Sequence, residues 1–184
     1  MSVDEIIDEA VKFKAEHVVL TGGEPMISPK IHELASRFRG HGYHITIETA
    51  GTIHPNKIEC DLVSLSPKLN NSTPEKGSID PAWIKRHEET RTKSTQVLRE
   101  WINSSKDYQF KFVISTRQDF NQVVQMMKES FSDVPCWKIQ VMPEGTDIPT
   151  IVNRRNMLVD FCKESGYRLS DRLHIHLFGN TRGT

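Results

Sequence analysis

The hydrophobic pattern of this chain switches repeatedly between a helical period and short runs of β-branched residues. That alternation is the signature of successive β and α units around a parallel sheet. It predicts helices over about residues 3–15, 29–41, 80–88, 94–103, 117–130 and 149–165, and strands over 17–21, 43–48, 61–65, 108–114, 136–142 and 172–177. A helix comes first, so the series reads as a barrel or open sheet whose first strand is missing. One domain over residues 1–184 is expected, because nothing in a chain of this length demands two. The segment from Ser66 to Ala82 holds Pro67, Pro74, Gly77 and Pro81 with the polar run Asn70-Asn71-Ser72-Thr73. It cannot carry a long regular element, and it reads as a functional loop after a strand.

Each predicted strand runs into a cluster of polar residues and glycines, and in a βα architecture those ends share one face. The first cluster is Thr21-Gly22-Gly23-Glu24-Pro25. Two consecutive glycines let backbone amides approach a ligand closely, and a carboxylate at Glu24 suits a ligand carrying an ammonium group, such as an amino acid or an adenosyl amino acid. A plain strand-to-helix turn would use the same residues. Strand 43–48 ends in Glu48-Thr49-Ala50-Gly51-Thr52, strand 61–65 in Ser64-Leu65-Ser66-Pro67-Lys68, and strand 136–142 in Met142-Pro143-Glu144-Gly145-Thr146. With Lys111 on strand 108–114, the last three of these make four clusters at successive strand ends beyond the Gly-Gly-Glu turn, which argues for convergence on one ligand. Lys111, between Phe110 and Phe112, projects to the face opposite its neighbours, toward a barrel interior or toward solvent. His174 and His176 lie two apart and share one face of the predicted last strand, but no third ligand is near in sequence, so no metal is assigned. Arg182 could meet a carboxylate bidentately.

Composition narrows the function classes. The 24 basic and 24 acidic residues cancel, which removes any general electrostatic drive toward nucleic acid or an anionic membrane. No apolar run has the length of a membrane span, and the first residues have neither the basic start nor the apolar stretch of a signal peptide. A cytoplasmic protein is expected. Cys60, Cys136 and Cys162 lie far apart with no CxxC or CxxxC spacing, so buried free thiols are expected.

These motifs together resemble a radical S-adenosylmethionine enzyme, and within that superfamily the 7-carboxy-7-deazaguanine synthase family. Thr21-Gly22-Gly23-Glu24-Pro25 matches the G-G-E motif, Glu48-Thr49-Ala50-Gly51-Thr52 resembles E-T-x-G-T, and Ser66-Pro67-Lys68 resembles S-P-K. Phe110-Lys111-Phe112-Val113 resembles the lysine-bearing fifth strand and Val141-Met142-Pro143-Glu144 the sixth. The resemblance implies an α/β partial (β/α)6 barrel lacking its first strand, with S-adenosylmethionine at Gly22, Gly23, Glu24, Glu48, Ser66 and Lys68. It implies a pterin-like substrate, 6-carboxy-tetrahydropterin, near Thr49, Thr52, Lys111, His174 and His176, with Mg²⁺ assisting. At the C-terminus His174-Ile175-His176-Leu177-Phe178-Gly179 stands where the family has H-K-Y.

One part of the family pattern is absent from this sequence: the C-x-x-x-C-x-x-C loop whose thiolates hold a 4Fe–4S cluster. Cluster iron needs thiolate ligands, and three scattered cysteines do not replace them by spacing. The expectation is therefore an N-terminally truncated, catalytically incomplete form of a longer synthase, with no catalytic residue assigned. Two other readings stay open: a cluster-free module binding S-adenosylmethionine or a pterin, and a radical enzyme of the glycyl-radical-activase type. A sheet edge left by a missing strand also predicts a homodimer.

Overall fold

The computed structural model describes residues 1–73 and 80–181. Its elements are α1 (Val3–Ala10), β1 (His17–Leu20), α2 (Ile31–Gly40), β2 (His44–Thr49), β3 (Leu62–Leu65), α3 (Pro81–Ser104), β4 (Asp107–Ile114), α4 (Arg117–Ser130), β5 (Ile139–Pro143), α5 (Ile148–Ser165), β6 (Arg168–Leu169) and α6 (Leu173–Phe178). The strands stand in chain order in a parallel six-stranded sheet, the α/β architecture that the alternating pattern predicts. The chain forms two compact units, Met1–Pro67 with Thr92–Gln109, and Lys68–Arg91 with Phe110–Thr184. Among the described residues no helix is long and apolar enough to cross a membrane.

In the first unit β2 shows why a parallel strand needs cover. Ile45, Ile47 and Thr49 are buried on one face, while His44, Thr46 and Glu48 alternate half-buried on the other. Helix α2 turns Ile31, Ala35 and Phe38 inward, and α3 adds Leu98 and Trp101, whose Nε1 donates to the Ile53 carbonyl at 2.9 Å. Asp61 binds this unit together. Its carboxylate accepts from Arg39 Nη2 at 2.7 Å, from the Ile45 amide at 2.8 Å and from Lys106 Nζ at 2.9 Å. Burial pushes the Asp61 carboxyl up, but those three donors outweigh it and hold the group well below the usual carboxylate range.

In the second unit β5 is buried at every position, as a strand covered on both faces must be. Phe110, Phe112 and Ile114 of β4 line the same core, and Phe120 of α4 stacks on Phe161 of α5 with ring centroids 4.5 Å apart. Local chemistry sets the helix ends. Thr116 and Asp119 make a reciprocal capping box at the start of α4, Asp147 caps α5, and Gly166 closes α5 in the left-handed conformation at φ 74°.

Four expectations change. The predicted last strand, 172–177, is the helix α6, and the last strand is the two-residue β6 just before it. The alternation in His174-Ile175-His176-Leu177 suits a short helix burying one residue, Ile175, and the Gly179 amide closes that helix on the Ile175 carbonyl at 3.0 Å. The two helices predicted over 80–88 and 94–103 are one, α3, because neither Gly nor Pro interrupts the residues between them. The first helix stops at Ala10 rather than near residue 15. Of the three cysteines expected to be buried, only Cys60 is; Cys136 is exposed and Cys162 half-buried. Residues 74–79 of the predicted functional loop, with Pro74 and Gly77, and Arg182 lie outside the described residues.

Candidate ligand site at the strand ends

Parallel register brings the ends of β1, β2 and β3 level. Leu20 pairs with Ile47, Glu48 with Ser64 and Thr49 with Leu65, and the Ser66 amide donates to the Thr49 carbonyl at 2.8 Å. Thr21 therefore comes level with Glu48, and its hydroxyl lies 3.4 Å from Glu48 Oε2. Thr21, Gly22 and Gly23 are exposed along this rim, with Glu48 and Ser66 half-buried beside them.

The two glycines of the turn differ in what requires them. Gly22 has φ 153°, a conformation that excludes a side chain at low cost. Gly23 does not have a positive φ, and no described atom lies within 4 Å of where its Cβ would be. Neither backbone conformation nor packing accounts for glycine at position 23.

Glu24 does not point its carboxylate into that open space. It accepts from the Thr49 hydroxyl at 2.8 and 2.9 Å, from the Ala50 amide at 2.9 Å and from the Met26 amide at 3.2 Å, the last capping the short helical turn Pro25–Ile27. Thr49, expected at the substrate, is 3% exposed, and its hydroxyl also accepts from the Gly51 amide at 3.0 Å. It sits behind the rim. Thr52 follows half-buried, and Gly51 has φ 69°.

In the second unit Lys68 is exposed, and Lys111 is half-buried between buried Phe110 and Phe112, with the alternation expected of it. The His-x-His pair is corrected. On the helix α6 two residues apart means about 200° around the axis, so His174 and His176 do not share a face. His174 is exposed, whereas His176 Nε2 lies 3.4 Å from Asp171 Oδ2.

Arginines dominate the end of β5. Arg154 Nη1 donates to the Glu144 carbonyl at 2.8 Å and to the Glu144 carboxylate, and Arg172 Nη1 donates to the Gly145 carbonyl at 2.6 Å. Arg155 Nη1 donates to Asp171 at 3.0 Å. Burial raises the Asp171 carboxyl, but the Arg172 amide, Arg155 and His176 together bring it below its ordinary value. Sequence reasoning missed Thr21, Arg154, Arg155 and Arg172. The available signals were the place of Thr21 one residue beyond β1 and the two helical turns from Asp147 to Arg154, which return Arg154 to the side of the loop before α5.

The cysteines do not fit a 4Fe–4S cluster. Burial pushes the Cys60 and Cys162 thiols up, away from the thiolate that iron requires, and among the described residues no three His, Cys, Asp or Glu side chains group to hold a metal ion.

Known proteins agree with the parallel α/β architecture. The Radical SAM superfamily model matches residues 1–116. The 7-carboxy-7-deazaguanine synthase of Rhodopirellula baltica is 34% identical over 183 residues, covering 100% of this chain and 69% of the relative. The protein of that name from Halobacterium salinarum is 36% identical over 193 residues, covering 100% of this chain and 74% of its own. The crystal structure of QueE from Escherichia coli has the same fold, with TM-score 0.60 at 21% identity over 94% of this chain. Archaeal TYW1 follows at TM-score 0.54, 18% identity and 91% of this chain. The chain spans 64% of the first of these solved structures and 56% of the second.

Proposed function

The chain belongs to the radical SAM superfamily, in its 7-carboxy-7-deazaguanine synthase family, and on that ground we propose that it holds S-adenosylmethionine at the β1–β3 rim for the rearrangement of 6-carboxy-tetrahydropterin to 7-carboxy-7-deazaguanine. The observation that carries the cofactor site is Gly23, a glycine that the fold itself does not need, at the end of β1. The exposed backbone of Gly22 and Gly23 receives the methionine ammonium, with Thr21 and Glu48 on the same rim as polar partners. Ser66 lies beside them on the strand end. Within the second unit, Lys68 and Lys111 are cationic groups of the kind that an anionic carboxylate would meet.

A 4Fe–4S cluster supplies the electron that opens S-adenosylmethionine in this superfamily. The cysteines of this chain do not fit it, so no step is assigned through it. Mg²⁺, a cytoplasmic setting and self-association along the outer edge of β1 belong to the same reading.

Calorimetric titration of the iron-free protein with S-adenosylmethionine tests the site. Saturable binding, displaced by S-adenosylhomocysteine, is expected; no binding heat at several temperatures removes the reading. Turnover of the pterin after reconstitution with iron and sulfide separates the synthase from the second reading, a cluster-free binding module, which the placement of the three cysteines favours for this chain alone. A bound cofactor with no product would decide for the module.

A further inference from the structure

We infer that Thr49 is a positioning residue of this site. It holds the Glu24 carboxylate against β2, so that the ligand-facing edge is the backbone of Gly22 and Gly23 rather than the glutamate side chain. The inference rests on the reading of the rim as an S-adenosylmethionine site.

Alternation along β2 separates two faces of the strand. Thr49 belongs to the buried face with Ile45 and Ile47, and Glu48 to the opposite, half-buried face. Glu24 reaches to Thr49, and so lies on the covered side of the strand, while the carboxylate on the other side is that of Glu48, beside Thr21.

Hydrogen-bond capacity limits what Glu24 can still accept. A carboxylate offers about four lone-pair sites. Glu24 already receives the Thr49 hydroxyl, the Ala50 amide and the Met26 amide. At most one site remains for a ligand ammonium, which carries three donors to satisfy.

Met26 lies in the turn after β1 and Ala50 in the turn after β2, so one carboxylate ties both loops, and Gly22 and Gly23 lie directly between Leu20 and that tie. The Thr49 hydroxyl is the member that orients the carboxylate, because it donates to Glu24 while accepting from the Gly51 amide. Remove the hydroxyl and the half-buried Glu24 carboxylate and the buried Gly51 amide each lose a bond, leaving the glycine backbone less ordered.

The test uses the whole chain, with calorimetric titration of S-adenosylmethionine into wild type, Thr49→Ser, Thr49→Val, Glu24→Gln and the double variant Glu24→Gln/Thr49→Val. Thr49→Ser keeps the hydroxyl and is expected to bind within about twofold of wild type, whereas Thr49→Val weakens binding about tenfold. The double variant is expected to bind no more weakly than Glu24→Gln, because the two residues act as one unit. Wild-type affinity in Thr49→Val, or losses that add in the double variant, overturns the inference. If Thr49→Val does not fold, unchanged affinity in Glu24→Gln overturns it instead. If wild type binds no S-adenosylmethionine, the proposed function fails, and amide hydrogen exchange then decides the positioning separately. Faster exchange at Gly22 and Gly23 in Thr49→Val but not in Thr49→Ser sustains it, and equal exchange in both overturns it.

Discussion

A Cβ placed on Gly51 would lie 2.3 Å from Leu98 Cδ2, so α3 seats its buried leucine directly on bare backbone at the end of β2. The contact is tighter than any side chain tolerates, and φ 69° adds a conformational requirement at the same residue. Gly51 and Gly23 both stand in motif positions of the strand ends, yet one serves the core and the other does not.

Gly51→Ala is therefore expected to destabilise the protein by about 2–4 kcal/mol, from the strained φ and the displaced Leu98 together. Urea unfolding of the variant beside wild type measures it. A loss below about 0.5 kcal/mol would show that α3 moves aside freely.

Gly23→Ala should give the opposite profile. With open space around the added methyl and no positive φ to strain, stability is expected within about 0.5 kcal/mol of wild type. Affinity for S-adenosylmethionine is expected to fall about tenfold or more, as the methyl takes the place of ligand atoms at the rim. Unfolding and calorimetry on the same preparation separate the two effects.

Acid stability should depend on Asp61. Its folded carboxyl titrates below its ordinary value of about 3.9, so the unfolded chain binds the proton first as pH falls. Its contribution is complete above the unfolded pKa and declines below about pH 4, disappearing as pH passes through the folded value. Asp61→Asn is expected to cost about 2 kcal/mol near neutrality and to flatten the fall in stability below about pH 4. Denaturant midpoints from pH 3 to pH 7 read it, and parallel curves for variant and wild type would count against the role of Asp61.

The thiols should react in the order Cys136, Cys162, Cys60, following exposed, half-buried and buried. A maleimide pulse on native protein, read by peptide mass spectrometry, is expected to label Cys136 first and to leave Cys60 unmodified until unfolding. Early labelling of Cys60 would mean that the segment between β2 and β3 opens readily.

Much of the fold was legible in the chain because period and burial follow one another in parallel α/β units. Helix α4 matches its predicted span at both ends, where the capping residues Thr116 and Asp119 are themselves a local signal. The tail was not legible. His174-Ile175-His176-Leu177 alternates like a strand, and only its single buried contact at Ile175 and the cap at Gly179 make it a helix. The join of two predicted helices into α3 likewise depended on the absence of a breaker, a weaker signal than the presence of one.

For the site, the sequence by itself determined which residues stand at the strand ends, because motif order and β-strand spacing place Gly22, Gly23, Glu24, Glu48, Thr49 and Ser66 there. Only the tertiary structure decided which of them face outward. Strand alternation puts Glu48 and Thr49 on opposite faces of β2, and the hydroxyl of Thr49 draws Glu24 onto the covered one. A carboxylate one residue past two glycines has no preferred direction in sequence; its direction is set by donors some 25 residues away, which only the pairing of β1 with β2 brings within 3 Å.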